Sequence, residues 1–484
     1  MNALLERVAG IANDDPSREA VTGSGLSLSY RDLHATIEQL SQELTGLGIR
    51  RLGLYANNCL EWLLVDLAAL AADIAVVPIP LFFSESQINH LVTNSQIQAT
   101  YVGLGTRSSF GRSQSSKLLS GCYQWHAVES ASDQALPFSK VTYTSGSTGE
   151  PKGACLAFDT QLTIVRSLAT RLEPSHLGRH LCVLPFATLL ENVAGIYLPL
   201  FMGRALIVDD TERLGLLSNH DFDPVRFADA VQRYDAESVI LLPHMLKLLV
   251  ESDQHARLRS LRFIAVGGGK VAPDMLRKAE ELGIPVFEGY GLTECASCVA
   301  LNTPGANRIG SVGKPLPHAQ VRISERGEVM VQGAAMQGYL DDALSDSEIA
   351  TGDSGYLDDE GFLHIVGRIK NTIVSSFGRN IAPEWVESQF LAESGIQQIA
   401  VFGEAKPSLS AVIVVEAELR DVDLIDVIHR VNASLPDYAR ITSWHRTHTP
   451  FTVTDGSLTN NGKLCRQVIA ERFAGELDLQ TVAA

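Results

Sequence analysis

Val141-Thr-Tyr-Thr-Ser-Gly-Ser-Thr-Gly-Glu-Pro-Lys-Gly153 opens with three β-favouring residues and runs into a loop of small hydroxylated residues. Gly146 and Gly149 permit backbone angles that other residues resist. Successive bare N–H groups in such a turn form a nest that suits an anion. The hydroxyls of Thr144, Ser145, Ser147 and Thr148 add uncharged donors, and Lys152 adds a compact cation on a flexible stem. Many donors, one cation and no carboxylate at the tip suit a triphosphate, with Glu150, just past the tip, expected to point outward. The segment departs from the standard nucleotide loop, because Pro151 precedes the lysine and no Ser or Thr follows it. Read alone, it also fits a Ser/Gly linker.

Four further segments stand downstream: Glu288-Gly-Tyr-Gly-Leu-Thr-Glu294, Thr351-Gly-Asp353, Gly367-Arg-Ile-Lys370 continuing to Gly378-Arg-Asn-Ile381, and Asn461-Gly-Lys463. With Val141–Gly153 they occur in the order and spacing of the adenylate-forming superfamily, which the chain resembles over nearly its whole length. That superfamily contains acyl-CoA synthetases, aryl-CoA ligases, luciferases and peptide-synthetase adenylation domains. The run from Gly367 to Glu387, through Lys370-Asn371 and Pro383-Glu-Trp385, looks most like long-chain fatty acyl-CoA synthetases.

Composition sets outer bounds. A chain of 484 residues exceeds one ordinary domain, and 45% hydrophobic with 20% charged residues is an ordinary globular balance. Net charge is 39 − 56 = −17, which argues against a nucleic-acid partner. No run approaches the roughly 20 apolar residues of a membrane span. The N-terminal residues carry no apolar core of signal-peptide length, so a cytoplasmic location with reduced cysteines is expected for the seven present. Cys295 and Cys298 form a CxxC with no second pair or histidine cluster, and read as two small buried side chains.

Along the chain, strand and helix patterns alternate, which predicts an α/β fold with mostly parallel sheets flanked by helices. Leu33, Ile37, Leu40 and Leu44 share one helical face, and Ser84 with Gln87 reads as a helix start. Residues 104–138 read as a surface connection, and residues 189–200 as one helix. Both the loop after Val141 and the Glu288–Glu294 segment follow a strand, where ligands bind in such sheets. Short strands from about 311 to 366 suggest a small β subdomain. The expected division is an N-terminal AMP-binding domain, residues 1–368, and a smaller mobile α+β domain, residues 369–484.

The resemblance implies a role for each site residue. Thr144, Ser145, Gly146, Ser147, Thr148, Gly149 and Lys152 would hold the phosphates of ATP. The turn Gly267-Gly268-Gly269 with Lys270 would lie against the adenine, and the segment Glu288, Gly289, Tyr290, Gly291 would close its other side. Thr293 would touch the α-phosphate, and Glu294 would be the ligand of Mg2+, an ion commonly bound through one or two carboxylates. Asp353 would take the ribose hydroxyls with Arg368 in support. Lys370 would be the hinge, Gly378 would border the CoA channel, and Lys463 would reach the reacting carboxylate during adenylation. Read without the resemblance, Glu294 is an exposed carboxylate, Asp353 a turn residue and Lys463 a surface lysine.

The implied reaction joins a small-molecule carboxylic acid to ATP, giving acyl-AMP and pyrophosphate, and then forms a thioester with CoA. Phe158 and Thr188 stand where the family often has histidines. No aspartate occurs between 186 and 190 to pair with an α-amino group, which argues against an amino-acid substrate. Val193, Ile196, Tyr197 and Leu200 could line an acyl pocket, though their spacing favours core. A fatty or other apolar acid is expected. The alternatives are an acyl-AMP ligase that loads an acyl carrier protein and, in another class, a regulatory nucleotide-binding protein without turnover. The presence of Lys152, Glu294, Asp353 and Lys463 together argues against the last.

Overall fold

The computed structural model describes residues 2–477 except 24, 107, 109, 127–136, 145–150, 174–176, 219–220, 341, 344–347 and 460–461. Two nine-stranded sheets carry the bulk of the chain. In the first, Val286–Tyr290, Phe263–Val266, Ser238–Leu241, His180–Leu181, Leu206–Ile207 and Glu19–Gly23 run parallel in that spatial order, with antiparallel strands at both edges. In the second, Lys140–Thr144, Ala75–Pro78, Arg51–Tyr55 and Ala99–Val102 form the parallel centre. These central strands are buried on both faces and need no polar alternation, hence runs such as Ser238-Val-Ile-Leu241.

Leu33, Ile37, Leu40 and Leu44 form the buried stripe of helix Tyr30–Gly46, as their spacing requires. The capping box at Ser84 also holds: Gln87 Oε1 accepts from the Ser84 N–H at 3.0 Å. Residues 104–138 depart from a plain surface connection. Ser113–Ser115 and Cys122–Trp125 add antiparallel edge strands to the second sheet, in a stretch whose serine content masks the pattern. The expected helix over 189–200 splits into a π-helix, Glu191–Tyr197, and a short α-helix, Leu198–Phe201.

Residues Gln320–Ile323, Glu328–Gln332, Glu348–Leu357 and Leu363–Arg368 form a separate four-stranded antiparallel sheet. Gly338–Tyr339, which lies within the expected β subdomain, instead pairs back onto Lys152–Leu156 of the second large sheet. Beyond Arg368, a three-stranded sheet of Ile396–Phe402, Leu409–Val415 and Ile441–Thr447 packs on helices Pro383–Leu391 and Asp421–Ser434. Its core contains Val386, Phe390, Ile413 and Ile428.

Candidate active site

The strand Lys140–Thr144 is held from below before it reaches the loop. Lys140 is buried, with Nζ 2.9 Å from Asp66 Oδ1 and 2.8 Å from the Tyr197 hydroxyl, while Asn192 completes the cluster. A buried ammonium is tolerated only when paired in this way. The loop itself, Ser145–Glu150, lies outside the described residues, and so do the expected contacts of Ser145, Gly146, Ser147, Thr148 and Gly149. Its two ends are described. Thr144 pairs with Lys152 across an antiparallel strand pair, and Lys152 opens the second strand, Lys152–Leu156.

That strand brings in a residue the sequence gave no local sign of. Tyr339 pairs with Ala154, its hydroxyl donates to Glu294 Oε1 at 2.8 Å, and Lys152 Nζ lies 5.5 Å from its ring centroid. Met336 N–H donates to the Glu294 carbonyl at 2.8 Å, which fixes the same junction through the backbone. Lys152, Tyr339 and Glu294 therefore meet, although 45 residues separate the last two.

Gly291 is required where it stands, because a Cβ would come within 1.5 Å of the Ser297 carbonyl oxygen. Gly268 has φ +80°, a conformation suited to glycine. Tyr290 donates to Asp353 Oδ2 at 2.6 Å, and Arg368 Nε lies 2.9 Å from Oδ1. Arg368 also donates to the Thr351 carbonyl at 2.9 Å. Burial raises the Asp353 carboxyl above its ordinary range, and the Tyr290 hydrogen bond and the Arg368 charge work against that rise.

Lys463, on a solvent-accessible loop, borders a cavity whose walls shield its ammonium. The loop is anchored by Thr459, whose N–H donates to the Lys463 carbonyl at 2.8 Å. Desolvation and then the Arg368 guanidinium hold its ammonium below the usual lysine range, while Asp353 and Glu294 act in the opposite sense. The lysine thus shares one local field with the Tyr290, Asp353 and Glu294 corner. Arg466, three positions on, binds the buried Glu387 through both carboxylate oxygens, with Nη2 2.7 Å from Oε2. Asn371, beside Lys370, donates to Glu384 Oε1 at 2.5 Å on the same helix.

A cavity of about 1310 Å³ unites these parts. Thr144, Lys152, Gly268, Gly289, Tyr290, Gly291, Thr293, Glu294, Arg368 and Lys463 all border it, as does Lys370. Other expected site residues lie elsewhere. Asp353 is buried against Tyr290 and Arg368, which border the cavity, and does not border it itself. Lys270 donates to the carbonyls of Ile365 and Val366 at 2.8 and 3.1 Å, so it ties the glycine turn to a neighbouring strand. Glu288 is buried beneath the site, with its carboxyl pushed up to about 8 by desolvation. Gly269 does not border the cavity, and a Cβ there would meet Pro243 at 3.4 Å. Gly378 has φ +69° and open space around it, in a tight turn between Ile373–Val374 and Asn380–Ile381; conformation explains this glycine without a close approach.

The cavity continues beyond these residues. It is bordered by Leu242, Val266 and Gly268 at the ends of parallel strands and by Ser238, Phe263 and His180 at their starts. It therefore runs the length of the strands, about 13 Å for four residues. Thr188 borders it and donates its hydroxyl to the Pro185 carbonyl at 2.7 Å. Ala194 and Leu198 form its wall. Val193, Ile196, Tyr197 and Leu200 are buried core on the other side, as their spacing favoured. Phe158 faces Tyr197 at 6.1 Å between ring centroids and packs on the core. Cys295 and Cys298 are free and buried. No helix among the described residues is long and apolar enough to cross a membrane.

Comparison with known proteins agrees with this architecture. The AMP-binding enzyme family matches residues 8–340, and the AMP-binding enzyme C-terminal domain matches residues 370–480. A 2-succinylbenzoate–CoA ligase of Enterococcus faecalis is 30% identical over 322 residues, spanning 62% of this chain and 64% of that protein. The corresponding ligase of Listeria monocytogenes is 26% identical over 439 residues, 86% of this chain and 90% of its own. A long-chain-fatty-acid–CoA ligase of Mycobacterium bovis is 33% identical over 227 residues, 40% of this chain and 38% of that one. The likeness to long-chain synthetases is thus not specific. Among solved structures, o-succinylbenzoate CoA synthetase from Bacillus subtilis with its acyl-adenylate intermediate shares the fold, with TM-score 0.77, 22% identity, and coverage of 100% of this chain and 99% of that one.

Proposed function

The chain belongs to the AMP-binding enzyme family, and we propose that it activates an elongated apolar carboxylic acid, a fatty acid, as its adenylate and transfers the acyl group to CoA. It is an AMP-forming acid–thiol ligase that uses ATP, Mg2+ and CoA. The observation that carries the choice of acid is the cavity, which leaves the nucleotide corner past Thr188 and follows an apolar wall along the sheet.

The residues divide the work. Asp353 accepts hydroxyl hydrogen bonds from the ribose while Tyr290 and Arg368 hold its carboxylate in place. Lys152 and Thr293, which both border the cavity, contact the phosphates. Lys463 supplies positive charge where the attacking carboxylate and the α-phosphate meet, so that charge moving between those oxygens is stabilised without solvent rearrangement. No side-chain nucleophile is needed, and positioning supplies most of the rate. Glu294 fits a magnesium ligand: its carboxylate borders the cavity and Tyr339 orients one oxygen. When bound, Mg2+ neutralises phosphate charge and orients the pyrophosphate leaving group.

A second reading is favoured by the 2-succinylbenzoate ligases among the relatives. Such an acid carries a second carboxylate that needs a donor. Arg204 borders the far part of the cavity with its Nε buried and without a hydrogen-bond partner.

Pyrophosphate release from ATP and Mg2+ across a panel of acids, with and without CoA, tests both readings. CoA-stimulated release with long fatty acids supports the first. Release confined to 2-succinylbenzoate establishes the second. Acyl-AMP accumulation without CoA stimulation redirects the search to a carrier protein as acceptor. No release with any acid overturns the activity.

A further inference from the structure

Glu191 opens the π-helix fully buried, and neither of its carboxylate oxygens has a hydrogen-bond partner. His180, the first residue of strand His180–Leu181, is buried as well, and its Nε2 is unpartnered. That nitrogen lies 4.0 Å from Glu191 Oε1, beyond hydrogen-bond reach. Cys182, two residues on, completes a group in which one donor atom from each side chain lies within 4.8 Å of the other two. Buried polar atoms are nearly always satisfied, so the unpartnered His180 Nε2 and the two unpartnered Glu191 oxygens, clustered with the Cys182 sulfur, call for an occupant.

The surroundings are shaped for this cluster. Gly195 lies against it, and a Cβ there would lie 2.8 Å from the Glu191 carboxyl carbon and press that side chain aside. Cys182 Sγ is held by the Gly195 carbonyl at 3.5 Å. His180 Nδ1 sits 3.0 Å from Ser238 Oγ, so one ring nitrogen is engaged and Nε2 is turned toward the cluster. This is the usual support for a metal-bound imidazole, whose other N–H is fixed by a polar neighbour.

Desolvation drives the Glu191 carboxyl well up and the His180 imidazole down to about 4, so the two do not form an ion pair. A divalent cation resolves the same burial differently. It displaces the Cys182 thiol proton and the Glu191 carboxyl proton to solvent, and two positive charges then meet one thiolate and one carboxylate. Nitrogen, sulfur and oxygen at bond lengths of about 2.0–2.3 Å are a zinc-type ligand set, and tetrahedral placement sets the donors about 3.3–3.8 Å apart. Small side-chain adjustments bring the three to that spacing.

We propose that His180, Cys182 and Glu191 bind a divalent cation of the zinc class, with a fourth position open to water. The site is separate from the phosphate corner at Glu294, and its thiolate selects a softer ion than Mg2+. It pins the π-helix to the start of a central strand. Because His180 also borders the acyl cavity, the ion fixes one wall of that cavity.

The test uses the full chain, expressed in zinc-supplemented medium and purified without chelator. Elemental analysis is expected to find about one zinc per chain. X-ray absorption of that protein should show a mixed sulfur and nitrogen/oxygen shell, and the cobalt-substituted protein should show a thiolate-to-cobalt absorption band. Cys182→Ser should abolish that band, while Cys295→Ser should keep it. Folded, active wild-type protein without stoichiometric zinc overturns the proposal. So does a shell without sulfur, or zinc that stays stoichiometric in Cys182→Ser with the cobalt band intact. The wild-type readings decide the matter even where a variant fails to fold.

Discussion

Tyr290 donates a 2.6 Å hydrogen bond to Asp353 Oδ2 and so joins two segments that are 63 residues apart. Arg368 takes the other carboxylate oxygen. The carboxylate is thus aimed before any nucleotide arrives. Hydrogen bonds to charged groups contribute about 1.5–3 kcal/mol each. Asp353→Asn is therefore expected to raise KM for ATP roughly ten- to a hundredfold, and Tyr290→Phe to raise it less, with both folding normally. Initial-rate kinetics at varied ATP check this; unchanged KM values in both variants would refute the role given to Asp353.

The proposed role confines Lys463 to one half-reaction. Removing a single placed electrostatic donor typically costs on the order of 10²–10³ in rate. Lys463→Ala should lose about that much in acyl-AMP formation. Thioester formation from supplied acyl-AMP and CoA should stay near the wild-type rate. Single-turnover assays of the two steps separate them, and equal losses in both would point to a folding defect.

The Tyr339 hydroxyl fixes Glu294 while its ring faces Lys152. Tyr339→Phe keeps the ring and deletes the hydrogen bond. The expected result is a several-fold higher Mg2+ requirement with little change in thermal stability. Titrating pyrophosphate release against Mg2+ would expose a curve that fails to move.

Glu288 gives a pH signature. Its folded carboxyl titrates near 8, raised chiefly by desolvation, against an ordinary value of 4.5. The folded state holds this proton where the unfolded state has lost it, so stability falls as pH rises from about 4.5 to 8. Glu288→Gln should flatten the decline in Tm across that window. Melting curves of both proteins from pH 5 to 9 test it, and parallel slopes would count against a protonated Glu288.

The proposed choice of acid rests on the length of the cavity. Ala194 and Leu198 line it near Thr188, and Leu168 and Leu172 of helix Phe158–Leu172 border it too. Leu172→Trp should cut kcat/KM for long-chain acids while leaving short ones nearly unaffected. A uniform loss across chain lengths would place the acyl group elsewhere.

The residues proposed for the nucleotide were legible in the chain because the requirements they meet are local. Glycines at 268 and 291, the carboxylates of Asp353 and Glu294, and the lysines at 152 and 463 lie in short contiguous segments, where backbone conformation and charge are written directly. The succession of parallel strands was legible for the same reason, as was the buried stripe of helix Tyr30–Gly46. Tertiary structure alone brought Tyr339 to Glu294, through the pairing of Gly338–Tyr339 with a strand almost two hundred positions earlier. It also demoted Lys270 and Glu288 from the cavity to its supports. Along Glu191–Tyr197, Ala194 meets the cavity while Val193 and Ile196 are core, the division their spacing favoured. The π-helical winding itself leaves no mark in the sequence pattern. Nor does the approach of buried Glu191 to His180 and Cys182, because it depends on packing between elements that no local pattern relates.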